Sequence, residues 1–114
     1  MRSPANSSRD RERPMDDGRE ANVTQTAARC HLWVRGRVQG VGFRFFALEE
    51  AQRRGVAGWA RNVADGRVEI VAEGDIRALE EFVASVRRGP AGARVEDVRV
   101  EWEAPTNMQG FRVQ

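Results

Sequence analysis

A glycine-rich, cationic stretch is the part of the sequence best suited to chemistry. Residues 36–44 read GRVQGVGFR, with glycines at 36, 40 and 42, an arginine at the end and no acid. Successive backbone N–H groups in such a turn can point into one concavity and bind an anion. Glycine also allows close approach to the backbone, because it has no Cβ atom. The stretch therefore predicts a site for a small anion such as phosphate.

Arg44 falls in the first turn of the helix that we predict after this stretch. A cation at this end of a helix opposes the helix dipole, at a cost of a few tenths of a kcal/mol. This placement is explained if Arg44 faces a bound anion, since its planar fork can bind two phosphate oxygens. The pattern is neither the Walker motif nor the dinucleotide-binding motif. From these residues alone, a mobile glycine turn with a surface arginine is an equally good interpretation.

The segments that must position this stretch alternate between the hydrophobic period of strands and that of helices. Strands are predicted at 30–38, 56–63, 67–73, 95–103 and 110–113, and helices at 43–54 and 76–88. Gly55 and Gly89 end the two helices, and Asp75 precedes the second. This order predicts an α+β fold, the ferredoxin-like split βαβ sandwich, with two helices on one face of a mostly antiparallel sheet and a short fifth strand at the C-terminus. Its other face is predicted to be open, with Trp33 and Trp59 partly exposed.

Two details of the strands are also predicted. Asp65-Gly66 indicates a two-residue hairpin turn, because both positions accept a positive φ. In the strand that follows, alternation places Val68 and Ile70 inward and Glu69 and Glu73 outward, as part of a solvated surface.

The adjacent pair Cys30 and His31 could suggest a metal ligand or a thiolate nucleophile. The chain has one cysteine and one histidine, whereas a zinc site needs three or four ligands. We interpret Cys30 as a small strand residue and His31 as a surface imidazole, and we expect no metal. A single thiol forms no internal disulfide, so nothing indicates an oxidising compartment.

Residues 1–28 differ from the rest of the chain. They carry five arginines and five acids and almost no large apolar side chain. This composition predicts a disordered N-terminal extension, and it lacks the apolar core of a secretory signal. The folded domain is then predicted at 29–114.

Composition restricts the partners of the domain. All 19 basic residues are arginines, yet 17 acids leave a net charge of only +2, without the basic stripe of a nucleic-acid binder. No apolar run approaches the ~18 residues that cross a bilayer. We therefore expect a protein that binds neither nucleic acid nor membrane. We also expect it to be cytoplasmic and monomeric.

Three blocks together resemble the acylphosphatase family. They are GRVQGVGFR, GWARNVADGRVEIVAEG and GPAGARVEDV, in the family's order, within residues 30–114. The resemblance implies a ferredoxin-like fold, hydrolysis of acyl phosphates to a carboxylate and inorganic phosphate, and no metal or organic cofactor. The family's essential arginine falls on Arg44 and its essential asparagine on Asn62. Its phosphate cradle falls on the backbone of Gln39, Gly40, Val41, Gly42, Phe43 and Arg44.

An acyl phosphate already carries a good leaving group, so an enzyme needs charge stabilisation and a placed water more than acid catalysis. We assign Arg44 and the cradle to the phosphoryl oxygens, and Asn62 to the attacking water. Asn62 could instead merely cap the hairpin. Three alternative functions stay open: a catalytically silent ligand-binding module, a carbamoyl-phosphate-handling domain of the hydrogenase-maturation type, and an RNA-binding sheet that stacks bases on Trp33 and Trp59.

Overall fold

Five strands and two helices form a two-layer α+β fold in the computed structural model, which describes residues 27–114. Two helices cover one face of the sheet, whose strand order is β4-β1-β3-β2-β5. All neighbouring strands are antiparallel except the parallel pair β2 and β5. The elements are β1 (Ala27–Arg37), α1 (Phe43–Arg54), β2 (Ala57–Asn62), β3 (Val68–Asp75), α2 (Ile76–Arg88), β4 (Arg94–Glu103) and β5 (Phe111–Val113). The predicted ferredoxin-like fold is confirmed.

The core lies between the sheet and the helices, where the alternating pattern predicts it. Leu32 and Ile70 contribute from the two central strands, and Phe43 and Phe82 from the helices. α1 lies between two glycines, Gly42 at φ 78° and Gly55 at φ 70°, a backbone conformation that glycine adopts without strain. Among the described residues, neither helix has the length and apolar character needed to cross a membrane.

The open face of the sheet is less solvated than we predict from the alternation. Glu69 and Glu73 point away from the core, but only 8% and 5% of their surfaces are exposed. They lie on β3, the middle strand, where side chains of the neighbouring strands cover them. The His31 imidazole, predicted to be a surface group, is not freely exposed either. Its ring stacks on that of Trp33 with 3.9 Å between the ring centroids, and its Nε2 lies 2.6 Å from Glu69 Oε2. Opposite charges and aromatic rings thus replace water over much of this face.

Two boundaries also differ from the prediction. β1 begins at Ala27, so the last two residues of the predicted extension pair with β3; the remainder of that prediction lies outside the described residues. The β2–β3 connection is longer than a two-residue turn. Its closing pair is Val63 and Arg67, and only Gly66, at φ 99°, has a positive φ within it. A three-residue hairpin loop with one glycine at positive φ is a common alternative to the two-residue turn.

Candidate active site

The connection between β1 and α1, where the sequence predicts an anion site, alternates in backbone conformation. Gly40 has φ 76° and Gly42 has φ 78°, while Val41 between them lies outside the positive-φ region. Such alternation turns successive N–H groups toward one side. A Cβ atom added at either glycine would meet nothing within 4 Å. The space beside the loop is therefore open, and the glycines are required by the backbone conformation, not by crowding.

Gly36 has a different role from the other two glycines of the motif. It lies within β1, next to a register shift in the pairing with β4, and has φ 134°. A Cβ atom at this position would lie 2.1 Å from the main-chain oxygen of Arg94. Gly36 therefore permits the close approach of two strands at a bulge, and only Gly40 and Gly42 shape the loop.

Arg44 lies in the first turn of α1, which contains no acid. The first N–H groups of a helix have no partner within the helix, so this end attracts anions. The Nη1 atom of Arg44 donates to the main-chain oxygen of Gln114 at 2.7 Å. Gln114 in turn donates its N–H to the oxygen of Ala60 on β2, at 2.9 Å. Arg44 is thereby connected to the strand that carries Asn62.

Asn62 is the last residue of β2 and is exposed to solvent. The residue after it, Val63, begins the hairpin loop. Gln39, the first residue of the predicted cradle, donates its side-chain amide to the oxygens of Val63 and Arg67, at 2.7 and 2.9 Å. The structure thus brings the glycine loop, the start of α1 and the end of β2 to the same end of the sheet.

Two of these connections are not apparent in the sequence. Gln114 follows the last strand and is separated from Arg44 by 70 positions, and no local pattern marks it. Gln39 stands inside the motif, but the motif suggests only a backbone role for it. The side-chain role depends on where the hairpin lies, which local sequence does not specify.

The acid nearest to Asn62 in the hairpin is neutralised by a neighbour. Asp65 accepts a hydrogen bond from the backbone N–H of Arg67 at 3.0 Å, and another from its Nε at 2.8 Å. The backbone hydrogen bond first, and then the guanidinium, lower the pKa of the Asp65 carboxyl. This carboxylate is ionised at neutral pH, and the adjacent positive charge offsets its effect on an incoming anion.

Cys30 has neither the exposure nor the ionisation of a nucleophile. It is fully buried in β1, as expected for a small strand residue, and burial raises the pKa of its thiol to about 12. A reactive cysteine instead needs a depressed pKa and access to substrate. Within residues 27–114, no three side chains of the His, Cys, Asp and Glu types come together as a metal site would require.

The fold and the loop after β1 together define a class of protein. It is a ferredoxin-like α+β sandwich with a candidate anion site after its first strand. The acylphosphatase family model matches residues 30–113. An acylphosphatase of Koribacter versatilis is 47% identical over 98 residues, 85% of this chain and 89% of its own length. One of Gloeobacter violaceus is 51% identical over 88 residues, 77% of this chain and 95% of its own. The chain belongs to the acylphosphatase family.

A solved structure supports the same relationship. The crystal structure of acylphosphatase from Bacillus subtilis superposes with a TM-score of 0.75 at 42% sequence identity. The match covers 76% of this chain and 98% of that one. The described domain therefore corresponds to nearly the whole of a solved acylphosphatase.

Proposed function

We propose that this enzyme cleaves the carboxyl–phosphate bond of acyl phosphates, releasing a carboxylate and inorganic phosphate. Family membership carries the reaction. The observation that supports its location is the convergence of the glycine loop, Arg44 and Asn62 at one end of the sheet. The backbone of Gln39–Arg44 and the Arg44 guanidinium hold the phosphoryl oxygens, and Asn62 holds the water.

The chemical step is an in-line displacement at phosphorus. The water oxygen bonds to phosphorus as the bond to the acyl oxygen breaks, and the leaving carboxylate takes that electron pair. The proton of the water passes to a phosphate oxygen. Because the leaving group is weakly basic, the protein contributes mainly position and charge stabilisation.

Arg44 can serve the phosphoryl group without releasing Gln114. A guanidinium carries five N–H donors in a fixed plane, and the bond to the Gln114 oxygen uses one of them. This bond fixes the direction of the side chain before substrate arrives, which lowers the ordering cost of binding. Lysine could not reproduce the arrangement, because its ammonium group lacks the planar fork.

Direct attack by water is favoured over a phosphorylated enzyme. The Cys30 thiol is buried and protonated at neutral pH. The His31 ring lies on the open face of the sheet, stacked on Trp33 and bonded to Glu69. Neither side chain has the exposure and orientation that a nucleophile at the glycine loop would require.

The other predicted properties stay predictions. A chelator control tests the absence of a metal requirement, light scattering tests the monomeric state, and fractionation of cells tests the cytoplasmic location.

Against an RNA-binding role, Arg99 covers the Trp33 ring at 5.2 Å and Arg61 covers the Trp59 ring at 5.4 Å. The carbamoyl-phosphate alternative is not favoured, because relatives matched over 89% and 95% of their own length are acylphosphatases.

Steady-state hydrolysis of benzoyl phosphate, with and without a chelator, tests the proposal. We expect turnover in both conditions and competitive inhibition by inorganic phosphate, because the loop recognises a tetrahedral anion. Inhibition at tens of millimolar is an order-of-magnitude expectation for a weak product site. Absent hydrolysis would refute the activity, whereas hydrolysis without competitive phosphate inhibition would refute the cradle.

A further inference from the structure

The side chain of Gln39 bridges two parts of the site that the sheet itself keeps apart. Gln39 follows β1, and Asn62 ends β2, but β1 and β2 are not neighbours, since β3 lies between them. Neighbouring strands are spaced about 4.8 Å apart, so β1 and β2 lie about 10 Å apart across the sheet. No backbone ladder joins the glycine loop directly to the end of β2.

The bridge consists of two hydrogen bonds from one amide nitrogen. Gln39 Nε2 lies 2.7 Å from the oxygen of Val63 and 2.9 Å from the oxygen of Arg67. Both oxygens also accept hydrogen bonds within the hairpin. The Val63 oxygen accepts from the N–H of Gly66 at 3.0 Å, and the Arg67 oxygen accepts from the N–H of Val63 at 2.8 Å. Each carbonyl has two lone pairs, and Gln39 uses the second one of each.

The residue type at position 39 follows from this geometry. A primary amide offers two N–H donors from a single atom, which suits two acceptors on one side. A glutamate of the same length would offer no donor and would place a negative charge against two carbonyl oxygens. The partly buried position makes unpaired polar groups costly. The bridging role of the Gln39 side chain is therefore separate from the proposed role of its backbone N–H in the phosphate cradle.

We propose that Gln39 is a positioning residue that sets the distance between the phosphate cradle and Asn62. Gly40 follows Gln39 directly, and Asn62 precedes Val63 directly, so the bridge connects the immediate neighbours of both. The role rests on the proposed function, in which the water at Asn62 must attack the phosphorus held by the cradle. Gln39 thus acts on the reaction through Asn62.

The test removes the hydrogen bonds of the Gln39 side chain and keeps most of the side chain's bulk. Gln39→Met retains most of the shape and removes both donors, and Gln39→Glu places acceptors against acceptors. Gln52→Met, at an exposed position on α1, is the matched control. We expect Gln39→Met to lower kcat for benzoyl phosphate about 10- to 100-fold, since a small misplacement of reacting groups can cost about 100-fold. KM and the phosphate inhibition constant should change far less, and Gln39→Glu should be slower still.

A double-mutant cycle separates positioning from general stability. If Gln39 acts through Asn62, Gln39→Met should cost little further turnover when Asn62→Ala is already present. Full multiplication of the two losses would overturn the proposal, as would unchanged kcat in a folded Gln39→Met variant. Melting temperatures of all variants identify losses caused by unfolding.

Amide hydrogen exchange at Val63 and Gly66 provides a readout that does not require activity. We expect faster exchange at both amides in Gln39→Met and not in Gln52→Met, because the hairpin loses its connection to the loop. Unchanged exchange would overturn the bridge. If the wild-type chain failed to hydrolyse any acyl phosphate, the proposed function and the positioning role would both be refuted. The exchange data would still report whether Gln39 holds the hairpin.

Discussion

Replacing Glu73 by glutamine should destabilise the domain in a pH-dependent way. The Glu73 carboxylate accepts four hydrogen bonds: from the backbone and hydroxyl of Thr106 at 2.8 and 2.7 Å, from the backbone of Met108 at 3.0 Å, and from Arg29 at 3.0 Å. These bonds attach the connection 104–110, which leads to β5, to the middle of the sheet. An amide in place of the carboxylate presents N–H groups to at least one of these donors.

The pKa of this carboxyl gives the magnitude. Burial alone would raise the pKa, but the hydrogen bonds from Met108, Thr106 and Arg29 lower it from 4.5 to about 2. This lowering corresponds to about 3 kcal/mol of stability at neutral pH. Because the folded-state pKa is the lower one, the contribution is fully present above about pH 4.5 and disappears as the pH falls toward 2.

Urea unfolding followed by tryptophan fluorescence, repeated from pH 7 to pH 2, measures the effect. The difference between the wild type and Glu73→Gln should be about 3 kcal/mol down to about pH 5 and should shrink below pH 4.5. Glu96→Gln is the control, because Glu96 forms an exposed ion pair with Arg35 and should change stability by less than about 1 kcal/mol. A Glu73→Gln difference that stays constant to pH 2 would refute the reasoning.

Three further predictions concern the site and the extent of the domain. Arg44→Ala should lower turnover of benzoyl phosphate by about 10³- to 10⁵-fold, as for other cationic clamps on phosphoryl groups, and Arg44→Lys should restore little of it; near-normal hydrolysis would exclude the assignment. Asn62→Ala should lower kcat by about 100-fold or more with little change in phosphate inhibition, and a collapse of phosphate affinity would make Asn62 a binding residue instead. A chain beginning at Ala27, the first residue of β1, should match the full chain in melting temperature and kcat, since the composition of residues 1–26 predicts no packed structure; a loss of either would mean that they contact the domain.

The local parts of this fold were predictable because each follows from short-range physics. Strand alternation, helical spacing and the glycines at 42, 55 and 89 correctly located every strand and helix to within a few residues. Residue type alone likewise predicts an anion site at the glycine loop, and that site stays a prediction. What the sequence could not supply is the environment of side chains on the open face. Glu69 and Glu73 have the alternation of exposed residues, yet they lie under arginine and histidine side chains from other strands and, for Glu73, under a threonine from the connection before β5.

The hairpin illustrates a second limit of sequence reasoning. Asp65-Gly66 suggests the tightest turn, but Arg67 draws Asp65 into a local ion pair and the loop closes between Val63 and Arg67. This loop presents the two carbonyl oxygens that Gln39 reaches. A turn of a different length would present them elsewhere, so the partner of Gln39 depends on a non-local detail.

The order of strands explains why side chains must assemble this site. The three components that carry the proposed chemistry lie at the end of β1, at the start of α1 and at the end of β2, and the sheet joins none of them directly. Gln39 connects the first to the third, and Gln114 connects the second to the third through the Ala60 oxygen. Gln114 follows an edge strand of only three residues, whose preceding connection Glu73 anchors. The direction of Arg44 therefore depends on hydrogen bonds that begin at a buried carboxylate at the opposite end of β3.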